Sequence, residues 1–123
     1  MKFADLLTKT AVVELTHPVS GEPLGVKVHL APDESPKLKA FVREQMLNYP
    51  ADLSEEDRTD AVKLTTYVDK IIAIERAILG QRIVKIDGLD EDGIDFAEFA
   101  EKLPPEYIEQ LKTFIADRNN FFR

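Results

Sequence analysis

Hydrophobic and polar positions alternate twice near the start of the chain. In Ala11-Val-Val-Glu-Leu-Thr16, Val13 and Leu15 fall on one face, Glu14 and Thr16 on the other. In Gly25-Val-Lys-Val-His-Leu30, Val26, Val28 and Leu30 oppose Lys27 and His29. A period of two marks half-buried strands. Between them, His17-Pro-Val-Ser-Gly-Glu-Pro-Leu24 carries two prolines and a glycine and reads as the loop of an antiparallel hairpin. Two strands alone are marginal in water, so their apolar face needs cover.

The period then becomes helical. Ser35-Pro36 is a helix start, an oxygen to cap and a proline where its missing N–H does no harm. Leu38, Phe41, Val42 and Met46 recur on one face until Asn48-Tyr-Pro50 interrupts. Ser54-Glu-Glu-Asp57 is a second start, its carboxylates suited to the positive end of the helix dipole. From there to Leu79 no proline or glycine intervenes, and Gly80 reads as the stop. Leu64, Val68, Ile71, Ile72 and Ile78 form a stripe that Tyr67, Ile74 and Ala77 widen. So wide a stripe is buried on several sides or left open for a partner; in a short chain the expectation is a central core helix.

Arg82-Ile-Val-Lys-Ile86 is a strand candidate, followed by an acidic turn. Asp95 with Glu98 forms a capping-box pattern for a short helix through Phe96, Phe99 and Leu103. Pro104-Pro105 breaks that helix and starts the last, with Ile108, Leu111 and Ile115 on one face, and Asn119-Asn-Phe-Phe-Arg123 closes the chain. The expected fold is α+β and predominantly helical. An N-terminal antiparallel β-hairpin (11–30) packs on a bundle of about four helices with one further short strand. The helical body spans 35–80, the short strand and acidic turn 82–93, and the C-terminal helices 95–119. One domain over residues 1–123 is expected from the length.

Composition narrows the function. With 44% hydrophobic and 32% charged residues the chain is of globular type, and its net charge of −7 disfavours nucleic acid and anionic membranes as partners. It has no cysteine, which excludes disulfides, thiolate metal sites and thiol nucleophiles. No stretch approaches the roughly 20 apolar residues of a membrane span, and Met-Lys-Phe-Ala-Asp-Leu-Leu7 does not resemble a signal peptide, so a cytoplasmic location is expected.

Asp90-Glu-Asp-Gly-Ile-Asp-Phe-Ala-Glu-Phe99 resembles the end of an EF-hand loop, which needs ligands at its first, third and fifth positions, glycine at the sixth and glutamate at the twelfth. With Glu98 at the twelfth position, Leu89 stands at the third and Asp92 at the sixth. With Gly93 at the sixth, Gly88 stands at the first and Phe99 at the twelfth. Neither frame works, and the segment reads as an acidic turn feeding a capped helix. His17 and His29 lack companion ligands, and His29 shares a solvent face with Lys27. Glu55, Glu56, Asp57 and Asp60 cluster in first helical turns, where the dipole accounts for them. Lys37, Lys39 and Arg43 make a small solvated basic face. Nucleophile motifs and phosphate-cradling glycine loops are absent. A non-enzymatic protein without metal or cofactor is expected.

VVELTHPVSGEPLGVKVHLAPDESPKLKAF (12–41) resembles the opening of tail assembly chaperones of long-tailed, siphovirus-type bacteriophages, in which a strand ending in a Pro-x-Thr-Gly-Glu type turn precedes a second strand and a Ser-led helix. RIVKIDGLDEDGIDFAEFAEKLPPEYIEQLKTFIADRNNFF (82–122) is similar to that family's strand, acidic turn, short helix and proline-marked final helix. The family commonly carries a tryptophan where Lys85-Ile86 stand; this chain has none. The resemblance implies a protein that acts in the host cell cytoplasm and is absent from the mature virion. Its partners would be the tape measure protein and the major tail tube protein, with self-association compatible and a programmed frameshift extending some relatives. Expected contact residues are apolar side chains left exposed: Tyr107, Phe114, Phe121 and Phe122. Two alternatives stay open: a structural virion component (a head–tail joining or tube-associated protein), or a small acidic bacterial binding or regulatory protein.

Overall fold

A computed structural model describes residues 1–122; Arg123, the last of the expected closing residues, lies outside the described residues. The alternating segments form strands β1 (Ala11–Thr16) and β2 (Pro23–Leu30), paired antiparallel with Val13 opposite Val28 and Ala11 opposite Leu30. The third strand, β3 (Ile83–Asp87), adds antiparallel to the other edge of β2, giving the order β1-β2-β3. Leu30 pairs with Ile83 and His29 with Lys85, so Val84 is left over as a bulge. The fold is α+β.

Alternation sorts the two faces of the sheet. Ala11, Val13, Leu15, Val26, Val28, Leu30, Ile83 and Ile86 face the core, together with Leu79, Ala100, Ile108, Leu111 and Phe121 from helices and the C-terminal turn. Glu14, Lys27, His29, Lys85 and Asp87 take the other face. At the end of the sheet Gly88 lies so close to Gly25 that a Cβ would sit 1.9 Å from the Gly25 carbonyl oxygen, at a φ of +94°. Only glycine fits there.

Among the described residues five α-helices accompany the sheet: α1 (Pro36–Leu47), α2 (Glu55–Arg58), α3 (Ala61–Arg82), α4 (Phe96–Lys102) and α5 (Pro105–Ala116). Three expectations about them need correcting. Ser35 occupies the N-cap of α1 but makes no side-chain cap bond; Pro36 starts the helix. The helix begun at Ser54 does not run on. Ser54 Oγ accepts from Asp57 N at 3.2 Å, yet α2 ends within one turn. Asp60 Oδ1 then accepts from Val62 N (3.0 Å) and Lys63 N (3.2 Å) and starts α3 afresh. A short acidic side chain competes for backbone N–H groups and so makes a boundary inside an unbroken helical pattern.

Gly80 is not the stop. The helix passes through it to Arg82 and turns directly into β3. Gly80 is instead where α4 crosses α3: a Cβ there would lie 3.0 Å from Ala97 Cα and 3.1 Å from Phe96 O. Arg76, one turn earlier, donates from Nη1 to the carbonyls of Glu101 and Leu103 (2.7 Å each), occupying the free acceptors at the end of α4. Asp95 caps the start of α4 through Ala97 N and Glu98 N, while Glu98 pairs with Lys102.

Candidate partner-binding surface

Arg82 ends α3 with its guanidinium buried. It donates to Ala31 O at 3.1 Å and pairs with Asp33, while its own carbonyl accepts from Ala31 N at 2.8 Å. Asp33 and Glu34 also hold Arg118, and Thr8 Oγ1 donates to Glu34 at 2.9 Å. The Arg118 guanidinium and Thr8 hydroxyl pull the Glu34 carboxyl down to about 2. This network, with Lys9 N donating to Phe121 O at 2.8 Å, ties both chain ends to the loop before α1.

That clamp decides the fate of the expected contact residues. Phe121 is 4% exposed, inside the core, with its ring edge-on to Phe114 at 6.2 Å. Tyr107 and Phe114 are half-buried against the same cluster. Phe121 is therefore a core residue and no contact surface; it lies in the last turn, where sequence position alone suggests fraying. Phe122 is 51% exposed beside the Arg118 guanidinium, 5.7 Å from ring centroid to Cζ.

An uncovered apolar strip lies elsewhere. Leu38 and Ile74 are buried, but no residue from Lys39 through Ala73 is. Most of α1, all of α2 and the first half of α3 thus form an arm without a core of its own. Although Ile74 is buried, the stripe expected to be central is only partly covered: Leu64 is 41%, Val68 43% and Ile72 43% accessible. Spaced four apart, these three share one helix face. Ile72 continues it into an open groove of about 410 Å³ between α3 and α5, lined by Ile78, Leu79, Pro105 and Ile108. Lys112 stands at the groove between Glu75 (3.8 Å) and Glu109 (3.9 Å). Isolated helices of about 12–15 residues are marginal, so an arm of this kind gains most from a partner.

Local polar contacts hold the arm's tip. Tyr67 Oη donates to Asp52 at 3.3 Å, and burial and that carboxylate raise its pKa. Lys63 pairs with Asp57 at 2.9 Å and lowers the carboxyl's pKa. On the sheet's outer face, His29 Nε2 lies 2.8 Å from Asp87 Oδ2, with Lys85 Nζ 3.3 Å from Oδ1; the His29 contact and then Lys85 lower the Asp87 pKa. His17 Nδ1 accepts from Val19 N and Ser20 N and so folds its own loop. Among the described residues, no three His, Asp or Glu side chains gather as a metal would require, and no helix is long and apolar enough to cross a membrane.

Sequence reasoning found the residues of the α3 stripe but placed them in the core. It did not connect them with Pro105 and Ile108 across the groove, since that contact depends on how α5 packs. Compared with known proteins, the chain matches no protein-family model, and neither a curated protein nor a solved structure matches it significantly.

Proposed function

We propose that this protein is a non-enzymatic assembly chaperone, a tail assembly chaperone in the sense of the phage family it resembles, which holds an apolar helical partner in soluble form. The observation that carries the reading is the uncovered strip Leu64–Val68–Ile72 running into the α3–α5 groove, on an arm with no buried residue from Lys39 to Ala73. An amphipathic helix laid in such a groove buries its apolar face against these side chains. The net charge of −7 supports the role, because like-charged complexes repel one another and resist aggregation.

In this reading the partner is the long helical tape measure protein, with the major tail tube protein recruited to the complex in the host cytoplasm. Co-expression with a siphovirus-type tape measure protein, followed by affinity capture, tests it. Capture of a stoichiometric complex that Val68→Glu weakens is the expected result. No complex, or one indifferent to Val68→Glu and Ile72→Glu, contradicts it. Finding the chain in purified virions favours a structural component, and a gene set among unrelated metabolic genes removes the phage reading.

A further inference from the structure

The sheet runs β1-β2-β3, so one side of β1 has no neighbouring strand. Ala11, Val13 and Leu15 all face the core, which keeps the alternation of β1 unbroken. Thr16 turns its backbone groups away from β2. There the Gln110 side-chain amide accepts from Thr16 N at 2.9 Å and donates to Thr16 O at 2.8 Å. Backbone groups of a strand point the same way at every second residue, so Val12 and Glu14 turn theirs to the same edge. Among the described residues nothing pairs with them there. The Gln110 amide makes with Thr16 the two bonds that a peptide group of an added strand would make, and it closes one end of the edge. Lys9 N, bonded to Phe121 O at 2.8 Å, closes the other.

What lies beside the open stretch gives the chemistry of its occupant. A groove of about 480 Å³ runs between β1 and α5, with Val13 and Phe114 as apolar lining and Glu14, Glu106 and Glu109 as charged lining. Among the described residues no Lys, Arg or His lines it, although Glu109 also meets Lys112 at 3.9 Å. An unpaired strand edge is a template for another chain, with main-chain bonds supplying affinity and alternate side chains specificity. A Lys or Arg of an added strand, facing α5, lays its stem along Val13 and Phe114 and brings its charge to Glu106 or Glu109. The opposite edge of the sheet, on β3, is interrupted by the bulge at Val84.

We propose that the β1 edge between Lys9 and Thr16 takes a short, extended, basic segment of a partner protein, which joins the sheet as a further strand over the acidic groove. The site shares no residue with the Leu64–Val68–Ile72 strip and stands independently of the assembly role.

Amide NMR of the isotope-labelled full chain, titrated with a short peptide of alternating lysine and valine, tests this. Shifts are expected at Val12, Glu14, Gln110 and Phe114. Further peptides separate the parts of the claim: one with glutamate for every lysine, and two with N-methyl groups on either the lysines or the valines. The glutamate peptide and at least one methylated peptide should bind at least about tenfold more weakly. Glu109→Lys, at an exposed position of α5, should weaken the lysine peptide by a similar factor. The absence of shifts along β1 up to millimolar peptide overturns the proposal. So does binding that both methylated peptides retain, which is charge attraction without strand pairing, and so does equal binding of the glutamate peptide. If Glu109→Lys disturbs the fold, the peptide series on the native chain decides.

Discussion

Replacing Gly80 by alanine sets two opposed magnitudes against each other. Alanine in a helix interior is favoured over glycine by about 1 kcal/mol. The added Cβ, however, would lie 3.0 Å from Ala97 Cα, 3.1 Å from Phe96 O and 3.3 Å from Ala100 Cβ. Comfortable carbon contacts are about 3.5–4.0 Å, so α4 must retreat by about half an ångström. Two of the three neighbours are backbone, and α4 is held at its far end by Arg76 and through its body by buried Ala100. Overfilling a packed site costs about 1–3 kcal/mol. The net expectation is a loss of about 1 kcal/mol, a fall in Tm of about 3–5 °C at this chain length. Urea unfolding followed by far-UV circular dichroism measures it. Gly80 does not have a positive φ, so backbone strain adds nothing. A variant more stable than the native chain by about 1 kcal/mol would refute the close crossing of α3 and α4.

Gly88→Ala should destabilise by about 2 kcal/mol or more, from the positive φ and the clash with Gly25 O, read by the same unfolding curves. Arg82→Met should cost about 1–3 kcal/mol by leaving the buried Ala31 carbonyl without its donor, and hydrogen exchange at the start of β3 should rise. Deleting residues 119–123 should cost about 3–5 kcal/mol, since it empties the Phe121 site. A truncated chain as stable as the native one would return that residue to the surface. Glu34 has a folded pKa of about 2 against an ordinary 4.5, so its contribution is complete above about pH 4.5 and fades as pH falls towards 2. Glu34→Gln should flatten the Tm–pH profile in that window and leave its shape at higher pH unchanged.

Some elements were legible because one local signal suffices. The strands at 11–16 and 25–30 follow from alternation, although β2 already begins at Pro23 in what reads as loop; the start of α5 follows from Pro104-Pro105, and the cap of α4 from Asp95. Others depend on competition that a pattern does not express. Ser54 and Asp60 are both good caps six residues apart, and the helix restarts because the second takes the N–H groups of Val62 and Lys63. Gly80 carries the residue type of a stop, yet its role comes from α4, which follows it by more than a dozen residues. Phe121 is held by the pairing of Arg118 with Asp33–Glu34 and by Lys9 N donating to its carbonyl, contacts between residues more than 80 apart in the chain. The α3 stripe shows the limit most clearly. Periodicity tells which residues share a face, and Leu64, Val68 and Ile72 do, but not whether anything lies over them.

Amide hydrogen exchange in dilute solution, repeated with a bound partner, tests the coreless arm most directly. Without a partner, amides of Lys39–Leu47 and of the first half of α3 should exchange orders of magnitude faster than those of β2 and α5, whose Val28, Leu30 and Leu111 are fully buried. Adding a partner should slow the arm and leave β2 unchanged. An arm as protected as β2 in dilute monomer would contradict the account, because a self-sufficient arm has no uncovered face to offer.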